Sequence, residues 1–176
     1  MKLRGGTALV AATLALSLGA SACGGGGAPK PSAKAEAAAE LKWRTGLLEW
    51  RRQMLRALNG ISIILATDGS LVLLKDVHSP TSARLDALTS TLDGCSTVVR
   101  KIGPAPTAFA TAHRLALVAC KTLGQGDELV AGVVVKIRQG GALDSLDPVP
   151  GAGDLFSTGQ TQLTTATRSL NREYSG

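Results

Sequence analysis

The chain has 176 residues and a formal net charge of +6, a mild excess of positive charge that does not make it a polycation. Only five side chains are aromatic, whereas proteins that bind single-stranded nucleic acid stack successive bases on aromatic rings. The composition therefore argues against a nucleic-acid partner. Even without its first 22 residues, the chain is long enough for one domain with a hydrophobic core.

The first 22 residues have the composition of an export signal. Lys2 and Arg4 form a basic head, residues 7–18 form an uncharged apolar run, and Gly19-Ala20-Ser21-Ala22 supplies small residues for cleavage. The apolar run is shorter than the ~20 residues that a membrane-spanning helix needs. Cys23 comes directly after the small residues, and four glycines follow it.

A cysteine at this position makes the segment resemble a bacterial lipoprotein signal. The resemblance implies cleavage before Cys23, lipidation of that cysteine with acyl chains such as palmitate, and attachment to the outer face of the cell membrane. Ala20-Ser21-Ala22 also fits an ordinary secretory signal, which predicts a secreted protein without an anchor.

The composition changes again after Cys23. Residues 24–40 contain Gly, Ala, Pro, Ser, Lys and Glu but no large apolar side chain, which predicts that residues 23–40 are a flexible tether. Ala33–Glu40 favours helix, so this part could instead extend the first helix outward. We assign residues 41–176 to one helical domain.

The first two predicted helices have apolar residues at steps of three and four. The first runs from Trp43 to Ile64, and Gly60 is a point where it could bend. The second begins after a Ser79 cap, has Pro80 in its first turn and ends at Gly103-Pro104-Ala105-Pro106. The predicted core residues are Trp43, Leu47, Trp50, Met54, Ala57, Ile61, Ile64, Leu85, Leu88, Leu92, Cys95, Val99 and Ile102.

The third helix is expected to begin near Pro106 or Thr107, and Asp127 interrupts its apolar stripe beside two glycines, which predicts a break there. Residues 139–153 are rich in Gly and Pro and predict a connection. The last helix is expected to begin at an Asp154 cap. The core residues predicted in these two helices are Phe109, His113, Ala116, Cys120, Leu123, Val130, Val134, Phe156, Gly159, Leu163, Ala166 and Leu170.

These segments predict an all-α, four-helix-bundle-like fold. The alternative is an α+β fold, because Asp68-Gly69 between apolar runs is typical of a β-hairpin. A lone hairpin needs further strands or a helix to cover it. We therefore interpret Leu71–Leu74 as a short helix or turn.

Lipidation of Cys23 leaves Cys95 and Cys120, which we expect to form an interhelical disulfide because exported proteins can keep one. The bond requires an extended path through residues 103–106 to bring the two cysteines to the same level. The alternative is two buried free thiols. With the signal and the turn at residues 103–106, this pair makes the chain similar to the uncharacterised small helical lipoproteins of high-G+C Gram-positive bacteria, a group that implies no activity.

The sequence contains few residues in patterns that suggest catalysis or metal binding. His113 lies on the apolar stripe of the third helix, and His78 lies in a loop near Asp76 without a nucleophile motif. No metal-ligand spacing is present, and Asp144, Asp147 and Asp154 fit turns or caps better than a calcium loop. We expect no catalytic residues, no metal and no cofactor.

The first helix carries the one surface that suggests a membrane or a partner. Basic residues surround its two tryptophans, and together they form a set that could lie on an anionic membrane: Trp43, Arg44, Trp50, Arg51, Arg52 and Arg56. The simpler interpretation, which we favour, puts the tryptophans in the core.

The leading functional hypothesis is a non-enzymatic, lipid-anchored protein that has a structural role or binds an envelope protein or an apolar ligand. One alternative is an envelope hydrolase or metal-dependent enzyme that uses His78 or His113. Another is a membrane-surface sensor that uses the basic first helix.

Overall fold

A computed structural model describes residues 32–67, 69–141 and 148–173. The predicted signal peptide, Cys23, Asp68, Asp144 and Asp147 lie outside these residues. The helices are α1 (Ala33–Ala66), α2 (Ser70–Leu73), α3 (Pro80–Asp93), α4 (Cys95–Lys101), α5 (Ala110–Arg138) and α6 (Pro148–Glu173), with a 3₁₀ turn at Thr107–Phe109. No strand occurs among the described residues, so the all-α prediction is confirmed. The hairpin alternative is wrong for the described residues on either side of Asp68, which are helix or turn.

The long helices run up and down in turn. Gly46 faces Ile102 and Gly60 faces Leu88, so α3 and α4 return along α1 in the opposite direction. Trp43 stacks on Phe109 with ring centroids 5.7 Å apart, which places the start of α5 beside the start of α1. Gly126 and Gly159 of α5 and α6 face partners in the other helix of the pair, so these two helices are also antiparallel. The result is a four-helix bundle in which α3 and α4 together form the second member.

The helix ends follow capping rules. Ser32 precedes α1 and its hydroxyl accepts a hydrogen bond from the Ala35 N–H at 3.3 Å. The Ser79 hydroxyl accepts from the Ser82 N–H at 3.1 Å, and Pro80 occupies the first position of α3. Both the Ser79 cap and the helical state of Ala33–Glu40 agree with the sequence patterns. The assignment of residues 33–40 to the flexible tether does not hold, because they begin a 34-residue helix.

The predicted apolar stripes form the core. Every predicted core residue of the first helix is buried, as is every one of the last helix. Gly60 does not interrupt α1. A Cβ atom at Gly60 would lie 2.7 Å from Leu88 Cδ1, so the absent side chain allows α1 and α3 to approach closely.

Three helix boundaries differ from the prediction. Gly94 divides the predicted second helix into α3 and α4, although i to i−4 hydrogen bonds continue on both sides of it. The predicted break near Asp127 is wrong, because α5 is continuous from Ala110 to Arg138. The last helix begins at Pro148 rather than after Asp154, because prolines fit the first turn of a helix, where no intrahelical N–H partner is needed.

Candidate functional site

The Cys95–Cys120 pair joins the start of α4 to the middle of α5. The two sulfur atoms lie 2.11 Å apart and the two Cα atoms 5.4 Å apart, which is disulfide-bonding distance. Both residues are buried. Pro106 has an extended backbone at φ −53° and ψ 151°, whereas Gly103 has a positive φ of 106°, so the predicted extended path through residues 103–106 is observed at Pro106 and not at Gly103. The predicted interhelical disulfide is confirmed.

The two tryptophans of the predicted membrane surface lie in the core. Trp43 is buried, stacks on Phe109, and donates a hydrogen bond from Nε1 to the Gly103 carbonyl oxygen at 3.3 Å. Trp50 is completely buried. Neither ring can contact a membrane while the bundle is folded, so the tryptophan part of that surface is wrong and the simpler core interpretation holds.

The arginines of the same predicted surface border the core stripe on the outside of α1. Arg52 and Glu49 form an exposed ion pair at 3.0 Å, an arrangement that contributes little to stability in water. Arg56 is exposed, whereas Arg44 and Arg51 are half-buried. Because Trp43 and Trp50 are buried, the outer face of α1 does not combine exposed aromatic residues with these arginines.

The two histidines have separate surroundings. His113 is half-buried and its ring meets the Trp43 ring edge-on, with centroids 5.9 Å apart. His78 is exposed, and Asp76 Oδ1 accepts a hydrogen bond from its backbone N–H at 2.9 Å. The Asp76 carboxylate therefore stabilises a turn through the backbone of His78.

Two carboxyl groups, Asp127 of α5 and Asp93 at the end of α3, lie close together, a pairing that the sequence did not predict. Asp127 is 5 % exposed, and its Oδ1 atom has no hydrogen-bond partner among the described residues, whereas Asp93 is exposed. Burial raises the pKa of Asp127 from 3.8 to about 6, and the charges of Asp93 and Glu128 contribute in the same direction. The sequence contained one clue to this pair, since Asp127 occupies a core position of the third stripe.

The end of the bundle where α1 begins carries an open cleft. We call this the proximal end and define it as residues 32–43 and 100–114. The cleft has a volume of about 560 Å³, and α1 and the turn before α5 line it with Ala35, Glu36, Ala39, Glu40 and residues 104–108. Leu41 lies nearby and is 67 % exposed, the highest value among the large apolar side chains of the described residues.

The opposite end of α1 carries a group of exposed apolar side chains. We call this the distal end and define it as residues 63–67 and 69–79. Ile63, Val72, Leu73 and Val77 are each about half exposed. Leu74, next to them, is fully buried and holds the connection from α1 to α3 against the core.

A third feature is a shallow groove between α1 and α6. It has a volume of about 300 Å³, with Leu55, Leu58 and Phe156 among its apolar lining residues and Asn59, Ser62, Ser157 and Gln160 among its polar ones. Leu58 and Phe156 are almost fully buried, so the groove offers little apolar surface to a ligand.

Within the described part of the chain, no group of three or more His, Cys, Asp or Glu side chains could hold a metal ion. None of the described helices is long and apolar enough to span a membrane. Comparisons of the chain with protein-family models, curated proteins and solved structures return no match.

Proposed function

We propose that this protein is an extracytoplasmic lipoprotein, attached to the cell membrane through Cys23, whose helical domain has a non-enzymatic binding role at the cell envelope. The observation that carries the proposal is the sequence around Cys23: a basic head, a short apolar run, small residues, and then a cysteine followed by glycines.

Two structural observations support it. Cys95 and Cys120 lie at bonding distance, and disulfides persist in oxidising compartments outside the cytoplasm. The four exposed apolar side chains of the distal end support the binding role, because grouped apolar exposure is typical of surfaces that contact another protein.

The anchor can be tested by metabolic labelling with an alkynyl palmitate analogue in a Gram-positive host. The wild-type protein should carry the label and sediment with the membrane fraction. The variant Cys23→Ala should lose both properties, whereas Cys95→Ala is the matched cysteine control and should keep the label. Label that persists in Cys23→Ala, or is absent from the wild type, would contradict the proposal.

The binding role can be tested by placing a photo-crosslinking amino acid at Leu73 in intact cells. The control position is Thr165, an exposed residue on α6. A discrete crosslinked species should form from position 73 and not from position 165. Equal crosslinking from both positions, or none from position 73, would argue against a partner at the distal end.

A further inference from the structure

We propose that the proximal end of the bundle is a docking surface for anionic phospholipid headgroups, so that the domain stands end-on at the membrane with its distal end outward. This orientation rests on the proposed anchor at Cys23, but the headgroup contact is a separate property of the folded domain and can be measured without the anchor.

The first argument is the charge of the proximal end. Five cationic side chains of this end are exposed, against the two carboxylates Glu36 and Glu40. The cationic residues are Lys34, Lys42, Arg100, Lys101 and Arg114. The segments of the distal end carry Lys75 and Asp76. The nearby end of α5 adds Lys136 and Arg138, of which Arg138 pairs with Asp86. Anionic membrane surfaces attract basic groups over distances of about 10 Å, so the charge distribution favours the proximal end as the side that faces the membrane.

The second argument is an exposed apolar side chain at the same end. Leu41 is 67 % exposed and directly precedes Lys42 in α1. Pro104 is exposed on the turn that meets α1 across the proximal cleft. An exposed apolar side chain next to a basic one is a combination that enters the boundary between headgroups and acyl chains.

The third argument is the length of chain between the proposed anchor and the bundle. Eight residues separate Cys23 from Ser32, and a fully extended chain of that length reaches about 30 Å. A lipid on Cys23 would therefore keep the first turn of α1 within this distance of the membrane. The exposed apolar residues of the distal end would lie about 50 Å further out, because α1 has 34 residues that each add about 1.5 Å.

End-on docking differs from a helix that lies flat on the membrane. The flat arrangement uses Trp43 and Trp50, which are buried, and Arg52 and Arg56. These two arginines lie about 2.5 and 3.6 turns of α1 beyond the proximal end. The proximal surface uses neither the tryptophans nor these arginines, so the two arrangements predict different sensitive residues.

The test uses the mature chain, residues 23–176, with Cys23→Ser, which has no acylation site and lacks the apolar signal segment. Binding is measured by co-sedimentation with vesicles of phosphatidylcholine alone or mixed with phosphatidylglycerol. The proximal variant adds Lys34→Gln, Lys42→Gln and Lys101→Gln. The matched control adds Lys75→Gln, Lys121→Gln and Lys136→Gln, which remove the same charge from exposed positions elsewhere. Circular dichroism and tryptophan emission verify that both variants fold.

The parent chain should bind the anionic vesicles more tightly than the neutral ones, and the proximal variant should lose at least about tenfold in affinity for the anionic vesicles. The control should lose no more than about twofold. Equal losses in the two variants, or equal binding of the parent chain to both kinds of vesicle, would overturn the proposal. Because acylation is absent throughout, these results are independent of the labelling experiment on Cys23.

A second measurement tests the orientation. With Cys23→Ser, an introduced cysteine is the only free thiol, so an environment-sensitive dye can be placed at Leu41→Cys or at Val72→Cys. Anionic vesicles should shift the emission of the dye at position 41 and leave the dye at position 72 unchanged. A shift at position 72 alone, at both positions or at neither would contradict end-on docking through the proximal end.

Discussion

The substitution Asp127→Asn should stabilise the protein at neutral pH and have little effect under mildly acidic conditions. Asp127 is buried, and its pKa in the folded protein is raised from 3.8 to about 6. The folded state therefore binds this proton more tightly than the unfolded state does. The stability that the protonated group confers is complete below about pH 4 and is lost as the pH rises through 6.

The size of the effect follows from the same values. A pKa that moves from 3.8 to about 6 corresponds to roughly 3 kcal/mol in the free energy of unfolding between acidic and neutral pH. Asparagine has nearly the same shape and carries no charge, so it removes the cost of a buried carboxylate beside Asp93. The amide still has to be buried, so we expect a gain of about 1–2 kcal/mol at pH 7.5.

Urea denaturation followed by tryptophan emission measures this gain, since both Trp residues are buried. The experiment compares wild type and Asp127→Asn at pH 4 and pH 7.5, with Asp154→Asn as a control that makes the same replacement at an exposed position. The control should change the free energy of unfolding by less than about 0.5 kcal/mol at either pH. A difference between Asp127→Asn and wild type that is the same at both pH values, or a loss at pH 7.5, would refute the reasoning.

Three further predictions concern the core. Gly126→Ala should destabilise the bundle by about 1–3 kcal/mol in the same urea assay, because its Cβ would lie 2.6 Å from Phe156 Cε1. The control Gly132→Ala should be neutral or stabilising, because no atom lies within 4 Å of its Cβ. Replacing Cys95 and Cys120 together by alanine should lower the free energy of unfolding by about 3 kcal/mol, because the disulfide closes a loop with a sequence separation of 25. A reductant should destabilise the wild type by a similar amount and leave the stability of the double variant unchanged. Tryptophan emission should be blue-shifted, resistant to acrylamide and unchanged by anionic vesicles; strong quenching would mean that the rings are not in the core.

The sequence predicted the long helices and their inner faces because apolar spacing records which side of a helix is buried. The stripe from Trp43 to Ile64 is buried as expected, and so is the stripe from Phe156 to Leu170. Local capping chemistry also identified the Ser79–Pro80 start of α3. Such features depend on residues close together in the chain, which is why sequence alone can find them.

The errors occur where contacts between distant residues override local preference. Gly126 and Asp127 suggest a break when only their neighbours are considered, yet α5 continues through both. Gly126 leaves room for the Phe156 ring, and Asp127 is buried beside Asp93. The glycine therefore marked a close helix contact, and the charged residue marked a buried carboxyl group next to the exposed Asp93.

The candidate surfaces were harder to predict than the fold. The stripe of basic and aromatic residues on α1 suggested a membrane face, but burial of the tryptophans removes it. The proximal end depends on how the start of α1, the end of α4 and the start of α5 come together. No local sequence pattern records this arrangement.

The proposed membrane anchor at Cys23 can be tested by measuring the intact mass of the mature protein purified from membranes. We expect a chain that begins at residue 23, with added mass on its first residue that corresponds to a diacylglyceryl group with or without an amide-linked acyl chain. A mature chain that begins at another residue, or one that begins at Cys23 without added lipid mass, would contradict it.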